Sequence, residues 1–139
     1  MSVFVDTSAF YALADESDRN HRRAKAAYEM VIGDRLSTSD HVLVECWFLL
    51  GSRLGRDAAI RFWDALRAGI VAVVDVTHDD LERAREILTR FPDQTFSLVD
   101  ATSFAVMERE EIVRAFAFDA HYGIYRFGEE NRRRFDVVP

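Results

Sequence analysis

The chain opens with three apolar residues closed by an acid, Val3-Phe4-Val5-Asp6, and a longer run of the same kind, Ala115-Phe116-Ala117-Phe118-Asp119, returns near its end. Neither run alternates and neither is long enough for a core helix, so both are expected to be buried strands of a parallel sheet. Between them a helical period takes over. Thr7-Ser8 is expected to cap a short helix to about Ala14, which Asp15-Glu16-Ser17-Asp18 interrupts. A second helix, to Ile32, puts Ala24, Ala27, Tyr28 and Val31 on one face before Gly33-Asp34 turns the chain. Leu36-Ser37-Thr38 is a brief strand candidate. Ser39-Asp40 then caps a helix that runs to about Leu54 and stops at Gly55.

Another helix, about Asp57 to Ala68, stacks Ala59, Phe62, Trp63 and Leu66. Ile70 to Val76 is valine-rich and is expected to be a strand. Thr77 caps a helix to Arg90, Pro92-Asp93 breaks the chain, and Ser97 opens a helix through Asp100 and Phe104 to about Glu108. Strands at Ile112–Phe118 and near Phe135–Val138 complete the set. Strands alternating with helices predict one α/β domain over residues 1–139 with a central, mostly parallel sheet flanked by helices. There is no internal repeat, linker or low-complexity tract.

A chain of 139 residues can bury roughly two-thirds of its unfolded surface. No apolar run approaches the ~20 residues of a membrane span, and no basic leader precedes an apolar segment, so a soluble cytoplasmic protein is expected. Cys46 is the only cysteine, which excludes a disulfide frame and a thiolate zinc site. The four histidines, His21, His41, His78 and His121, show no ligand spacing. A net charge of −6 argues against a protein that coats nucleic acid. It leaves room for an acidic pocket that holds cations. All 18 basic residues except Lys25 are arginine, for which codon usage in a GC-rich genome is a plainer reason than phosphate binding.

The candidate chemistry lies in four acids. Asp6 and Asp119 follow strands, at the carboxyl edge where open α/β sheets bind ligands. Glu45 stands alone among Val42, Leu43, Val44, Cys46, Trp47, Phe48, Leu49 and Leu50, where an unpaired charge is costly to bury. Asp100 lies three residues after Ser97, the spacing of a capping box. Each acid has an ordinary structural explanation: a cap for Asp6 and Asp100, a boundary charge for Glu45, a turn for Asp119. Four such coincidences at one sheet edge are harder to accept. Two carboxylates ~5 Å apart repel by about 3 kcal/mol at an effective dielectric near 20, so a cluster needs cations or raised pKa values. Oxygen ligands without His or Cys select Mg²⁺ or Mn²⁺, ions suited to phosphodiester hydrolysis.

With these residues the chain resembles the PIN-domain nucleases, and more narrowly the VapC-type toxins of prokaryotic toxin–antitoxin pairs. The likeness runs from Val3-Phe4-Val5-Asp6-Thr7-Ser8 through Ala12-Leu13, Asn20-His21, Glu45 and Ser97-Leu98-Val99-Asp100-Ala101 to Ala117-Phe118-Asp119-Ala120-His121-Tyr122. It implies a PIN-like α/β/α domain and an Mg²⁺- or Mn²⁺-dependent endoribonuclease. Asp6, Glu45, Asp100 and Asp119 would be its metal-binding, catalytic acids. Thr7, Ser8 and Ser97 would hydrogen-bond to the acids, the water or the phosphate. Many relatives carry Thr or Ser two residues before the last aspartate; here Ala117 stands there. The resemblance also implies an RNA substrate, a homodimer and a small antitoxin that inserts a peptide near the site. Trp47, Phe48, Phe62 and Trp63 can form a receiving surface, although such a stripe is more often core. Arg126, Arg132, Arg133 and Arg134 can meet RNA phosphate, but Glu129, Glu130 and Asp136 dilute them.

Rival acidic-pocket folds fit less well. A phosphoacceptor receiver needs a lysine late in the chain, and a haloacid-dehalogenase-type phosphatase needs Asp-x-Asp where Asp6-Thr7-Ser8 stands. A housekeeping RNA-processing nuclease and a non-catalytic PIN-like binding module remain as alternatives.

Overall fold

The computed structural model describes residues 1–139. Five strands, β1 (Ser2–Val5), β2 (Arg35–Ser39), β3 (Val71–Val74), β4 (Arg114–Phe116) and β5 (Asp136–Val138), form one sheet in the order β3-β2-β1-β4-β5. Every pairing is parallel. Seven helices connect them: α1 (Thr7–Ala14), α2 (His21–Val31), α3 (Asp40–Leu54), α4 (Arg56–Arg67), α5 (His78–Arg90), α6 (Leu98–Arg109) and α7 (His121–Ile124). α1 packs against α2 and α3, α3 against α4, α6 against α5 and α7, and α3 also touches α6.

β1 is central because its side chains are apolar on both faces. Val3 and Phe4 are fully buried and pair with Leu36 and Ser37 of β2 and with Arg114 and Ala115 of β4. The chain runs outward from β1 to β2 and β3, then crosses back to β4 on the other side of β1. The strand order therefore reverses between β1 and β4. The carboxyl ends of those two strands form a switch-point crevice, the place where open parallel sheets bind ligands.

Local hydrogen bonds set the element ends. Ser39 caps α3 through Val42 N–H, and Thr77 with Asp80, and Ser97 with Asp100, form reciprocal capping boxes on α5 and α6. Gly55 joins α3 to α4 at a φ of 100°, in the region that favours glycine. α1 departs from the expected cap: Asp6, not Thr7 or Ser8, is the N-cap, accepting from Ser8 N–H. Two strands are shorter than their apolar runs. β3 stops at Val74, and the Val76 N–H bonds to Asp40 Oδ1. β4 stops at Phe116, after which the Phe118 and Asp119 N–H groups both donate to Ser8 Oγ. β3 is also an edge strand, so Ala72 and Val73 are exposed despite its valine content.

An aromatic cluster fixes α6 against the end of the chain. Phe104 stacks on Tyr125 at 4.5 Å and meets Tyr122, Phe96 and Phe135 at 5.1, 5.3 and 5.8 Å. Asp80, buried on α5, pairs with Arg109 of α6 at 2.9 Å. No helix is long and apolar enough to cross a membrane. Because Phe104 is fully buried at the centre of these rings, Phe104→Ala is expected to destabilise the fold by about 3–5 kcal/mol. Urea denaturation followed by circular dichroism measures it; a loss of less than about 1 kcal/mol would contradict this packing.

Candidate active site

The switch-point crevice receives acids from four elements. Asp6 extends from the end of β1, and Asp119 follows β4 by three residues. Asp100 is in the first turn of α6, and Glu45 is in α3, the helix that touches α6. Asp6 and Asp100 are buried; Glu45 and Asp119 are half-buried. Beside Glu45, a shallow groove of about 440 Å³ is lined by His41, Val44, Glu45 and Val99.

Hydrogen bonds hold the two buried acids. Asp6 Oδ2 accepts from the Ser8 N–H at 3.0 Å and the Ser8 hydroxyl at 2.6 Å, and Asp6 Oδ1 accepts from the Tyr122 hydroxyl at 2.8 Å. The same Ser8 oxygen accepts from the Phe118 and Asp119 N–H groups at 2.9 and 3.3 Å. Ser8 thus ties the end of β1 to the turn after β4, beside the backbone bond from the Asp6 N–H to the Phe116 carbonyl. Asp100 Oδ2 accepts from the Ser97 N–H at 3.0 Å and lies 2.8 Å from His121 Nδ1. Asp119 Oδ1 accepts from the His121 N–H and lies 3.3 Å from the same ring nitrogen. On the other side of the ring, Nε2 lies 3.3 Å from Thr95 Oγ1.

Ligand atoms of Asp100, Asp119 and His121 lie within 4.8 Å of one another. The expectation that the histidines have no ligand spacing fails for His121. Its spacing to Asp119 is only two residues, and the short turn into α7 folds it onto two acids. The imidazole faces both carboxylates, and these three side chains are close enough to share a cation. Thr7 Oγ1 is buried beside Glu45, whose pKa it lowers, and no other group satisfies it. An open lone pair beside the Glu45 carboxylate fits a hard cation or its water. Ala117 is buried and offers no hydroxyl. The hydroxyls near the acids are those of Thr7, Ser8, Ser97 and Tyr122.

The aromatic stripe divides. Trp47 and Phe62 are half-buried against the core, Phe62 edge-on to Phe10 at 5.1 Å. Phe48 is 70% and Trp63 41% exposed, and Leu43, Val44, Trp47 and Trp63 line a groove of about 280 Å³. The distal arginines are engaged locally: Arg126 donates to the carbonyls that end α7, Arg132 pairs with Glu130, and Arg133 lies over the Phe127 ring.

The PIN domain family matches residues 3–129. The chain belongs to the PIN-domain family. Its relatives within that family are of VapC type. The 23S rRNA-specific endonuclease VapC20 of Mycobacterium tuberculosis is 40% identical over 127 residues, covering 91% of this chain and 96% of that protein. The crystal structure of VapC20, a sarcin-ricin-loop-cleaving toxin, superposes with a TM-score of 0.80 over 85% of this chain and 90% of that one. Ribonuclease VapC26 of the same organism is 25% identical across 99% of this chain and all of its own length. VapBC2 of Rickettsia felis, at 10% identity and a TM-score of 0.73, shares the fold.

In this PIN domain, three of the four acids are shifted towards neutrality. Burial raises the pKa of Asp6, against the lowering effect of Ser8 and Tyr122. Burial also raises Glu45, which Thr7 lowers and Asp6, Asp100 and Asp119 raise further. Asp100 is raised by burial and by Asp119, against Ser97 and His121. A carboxyl raised in the folded chain binds its proton more tightly there than in the unfolded chain. Its stabilising effect is complete below the unfolded pKa and is lost as pH rises through the folded value. In chelator-treated protein, Glu45→Gln is therefore expected to raise the thermal midpoint at neutral pH by about 3 °C, a gain limited by the exposure of the site. The gain closes as pH falls below the ordinary value of 4.5. Calorimetry across pH measures it, and equal midpoints at every pH would contradict the shift.

Proposed function

We propose that the chain is a divalent-metal-dependent endoribonuclease and the toxin of a toxin–antitoxin pair. The observation that carries this reading is the convergence of Asp6, Glu45, Asp100 and Asp119 on one sheet edge, where burial and mutual repulsion push three of them towards neutrality. A cluster of acids held in place by hydrogen bonds has the character of a cation-binding site. Mg²⁺ or Mn²⁺ suits oxygen-only ligands, and these four acids would hold it, with Thr7, Ser8 and Ser97 orienting them. The bound ion supplies positive charge that neutralises a phosphate and acidifies water.

The chain's own residues would divide the work. Asp6 and Asp100, each held by at least two hydrogen bonds, fix the cation. Glu45 and Asp119 are more exposed and face substrate. In hydrolysis a water oxygen bonds to phosphorus, the bond from phosphorus to the departing ribose oxygen breaks, and a carboxylate takes the proton of the water. The half-exposed acids are placed for that transfer, and the groove beside Glu45 leaves room for the strand being cut.

The VapC names of the relatives support a toxin over a housekeeping RNA-processing nuclease. They also support a small antitoxin partner, since several fold relatives are toxin–antitoxin complexes. The exposed Phe48 and Trp63 beside the groove at Trp47 give such a partner, or a second copy in a homodimer, apolar surface to cover. A cytoplasmic location follows from an RNA substrate. A non-catalytic binding module is less well supported, because all four acids are present.

Asp100→Asn keeps the shape and removes the charge. It is expected to abolish cleavage of ribosomal RNA, the substrate class named for VapC20, while the protein stays folded. The assay uses purified wild type and variant on isolated 23S rRNA with Mn²⁺, Mg²⁺ or EDTA, and reads discrete fragments. Fragments from wild type only, and only with metal, support the reading. A folded, fully active Asp100→Asn protein, or undiminished cleavage in EDTA, would overturn it.

A further inference from the structure

Tyr122 is fully buried, and its hydroxyl donates to Asp6 Oδ1 at 2.8 Å from a residue 116 positions away. We propose that Tyr122 is a positioning residue that sets how tightly the acid cluster holds a divalent cation. This inference rests on the metal-dependent reading above.

Counting lone pairs leads to this role. A carboxylate offers about four acceptor positions. Both on Asp6 Oδ2 are taken by Ser8, through its N–H and its hydroxyl, and one on Oδ1 is taken by Tyr122. One remains, on Oδ1, and its direction is fixed because turning the carboxylate would break three hydrogen bonds. Asp6 is only 4% exposed, so solvent does not replace a lost donor. The Tyr122 ring is fixed in turn, edge-on to Phe104 at 5.1 Å. The other polar group beside its hydroxyl is Ser103 Oγ, which is buried and has no acceptor of its own. Given a neutral hydroxyl and a carboxylate, the phenol proton goes to the carboxylate, where the bond is charge-assisted.

Tyr125 provides the contrast. It is equally buried, lies three residues further along, and donates to Glu108 Oε2 at 2.7 Å, outside the acid cluster. Its hydrogen bond satisfies a buried phenol and joins two elements, with no proposed ligand at the other end. Tyr122 makes the same kind of bond to an atom proposed to face the ion. Partners that orient metal-binding side chains in this way are typically worth 10- to 100-fold in affinity.

The test is calorimetric titration of Mn²⁺ into metal-free wild type, Tyr122→Phe and Tyr125→Phe, each checked for folding by thermal melting. Tyr122→Phe is expected to raise the Kd for Mn²⁺ by about 10- to 100-fold. Tyr125→Phe is expected to keep the wild-type Kd, even where it lowers the melting temperature as much. A folded Tyr122→Phe protein with the wild-type Kd, or an equal rise in both variants, would overturn the inference while leaving the metal site intact. Wild type that takes up no Mn²⁺ would overturn the metal-dependent reading itself. Should Tyr122→Phe fail to fold, tyrosine-labelled wild type decides by NMR during Mg²⁺ titration. The Tyr122 resonances are expected to move with site occupancy and those of Tyr125 to stay; a motionless Tyr122 would overturn the inference.

Discussion

Carboxylates gathered at the end of a parallel sheet repel one another, by about 3 kcal/mol for a pair ~5 Å apart at intermediate dielectric. The switch-point edge of this fold withstands that repulsion because hydrogen-bond donors fix two of the acids. Ser8 is the most economical of these. One side chain binds Asp6 and, through the same oxygen, collects the Phe118 and Asp119 N–H groups. A single hydroxyl therefore adds to the β1–β4 pairing in holding two acids from opposite ends of the chain together. Asp100 is held by its capping box with Ser97 and by His121. Capping and clustering are the same interaction seen from two sides, so the ordinary and the functional explanations of these aspartates do not compete.

Much of the fold is legible in the sequence because its signals are local. The buried character of β1, the caps at Ser39, Thr77 and Ser97, and the stop at Gly55 each follow from a few adjacent residues. Strand ends are less legible. The valine run at Ile70–Val76 shortens to Val71–Val74, and the Val76 N–H goes to Asp40, 36 residues away. The run before Asp119 ends early for a similar reason, since the donors that would extend it serve Ser8, 110 residues away. Side chains that close a strand from a distance leave no mark in its own sequence.

The site shows the same division. Asp6, Glu45, Asp100 and Asp119 stand out because acids are unusual beside such apolar runs. His121 and Tyr122 are missed, because a histidine and a tyrosine in a turn have many ordinary explanations. Only the placement of α7 against α6 and β5 puts one on Asp100 and the other on Asp6. Of the four aromatics on α3 and α4, spacing alone does not separate Trp47 and Phe62, packed on the core, from the exposed Phe48 and Trp63.

The central claim is that these four acids together bind one kind of hard cation. Anomalous diffraction from crystals grown with Mn²⁺ tests it most directly, because manganese is located independently of the protein's atoms. The account predicts a peak bonded to carboxylate oxygens of Asp6, Glu45, Asp100 and Asp119, and its loss in Asp100→Asn crystals. A map with no peak in the crevice at saturating Mn²⁺, or with manganese held by His121 and Asp119 away from Asp6 and Glu45, would contradict it.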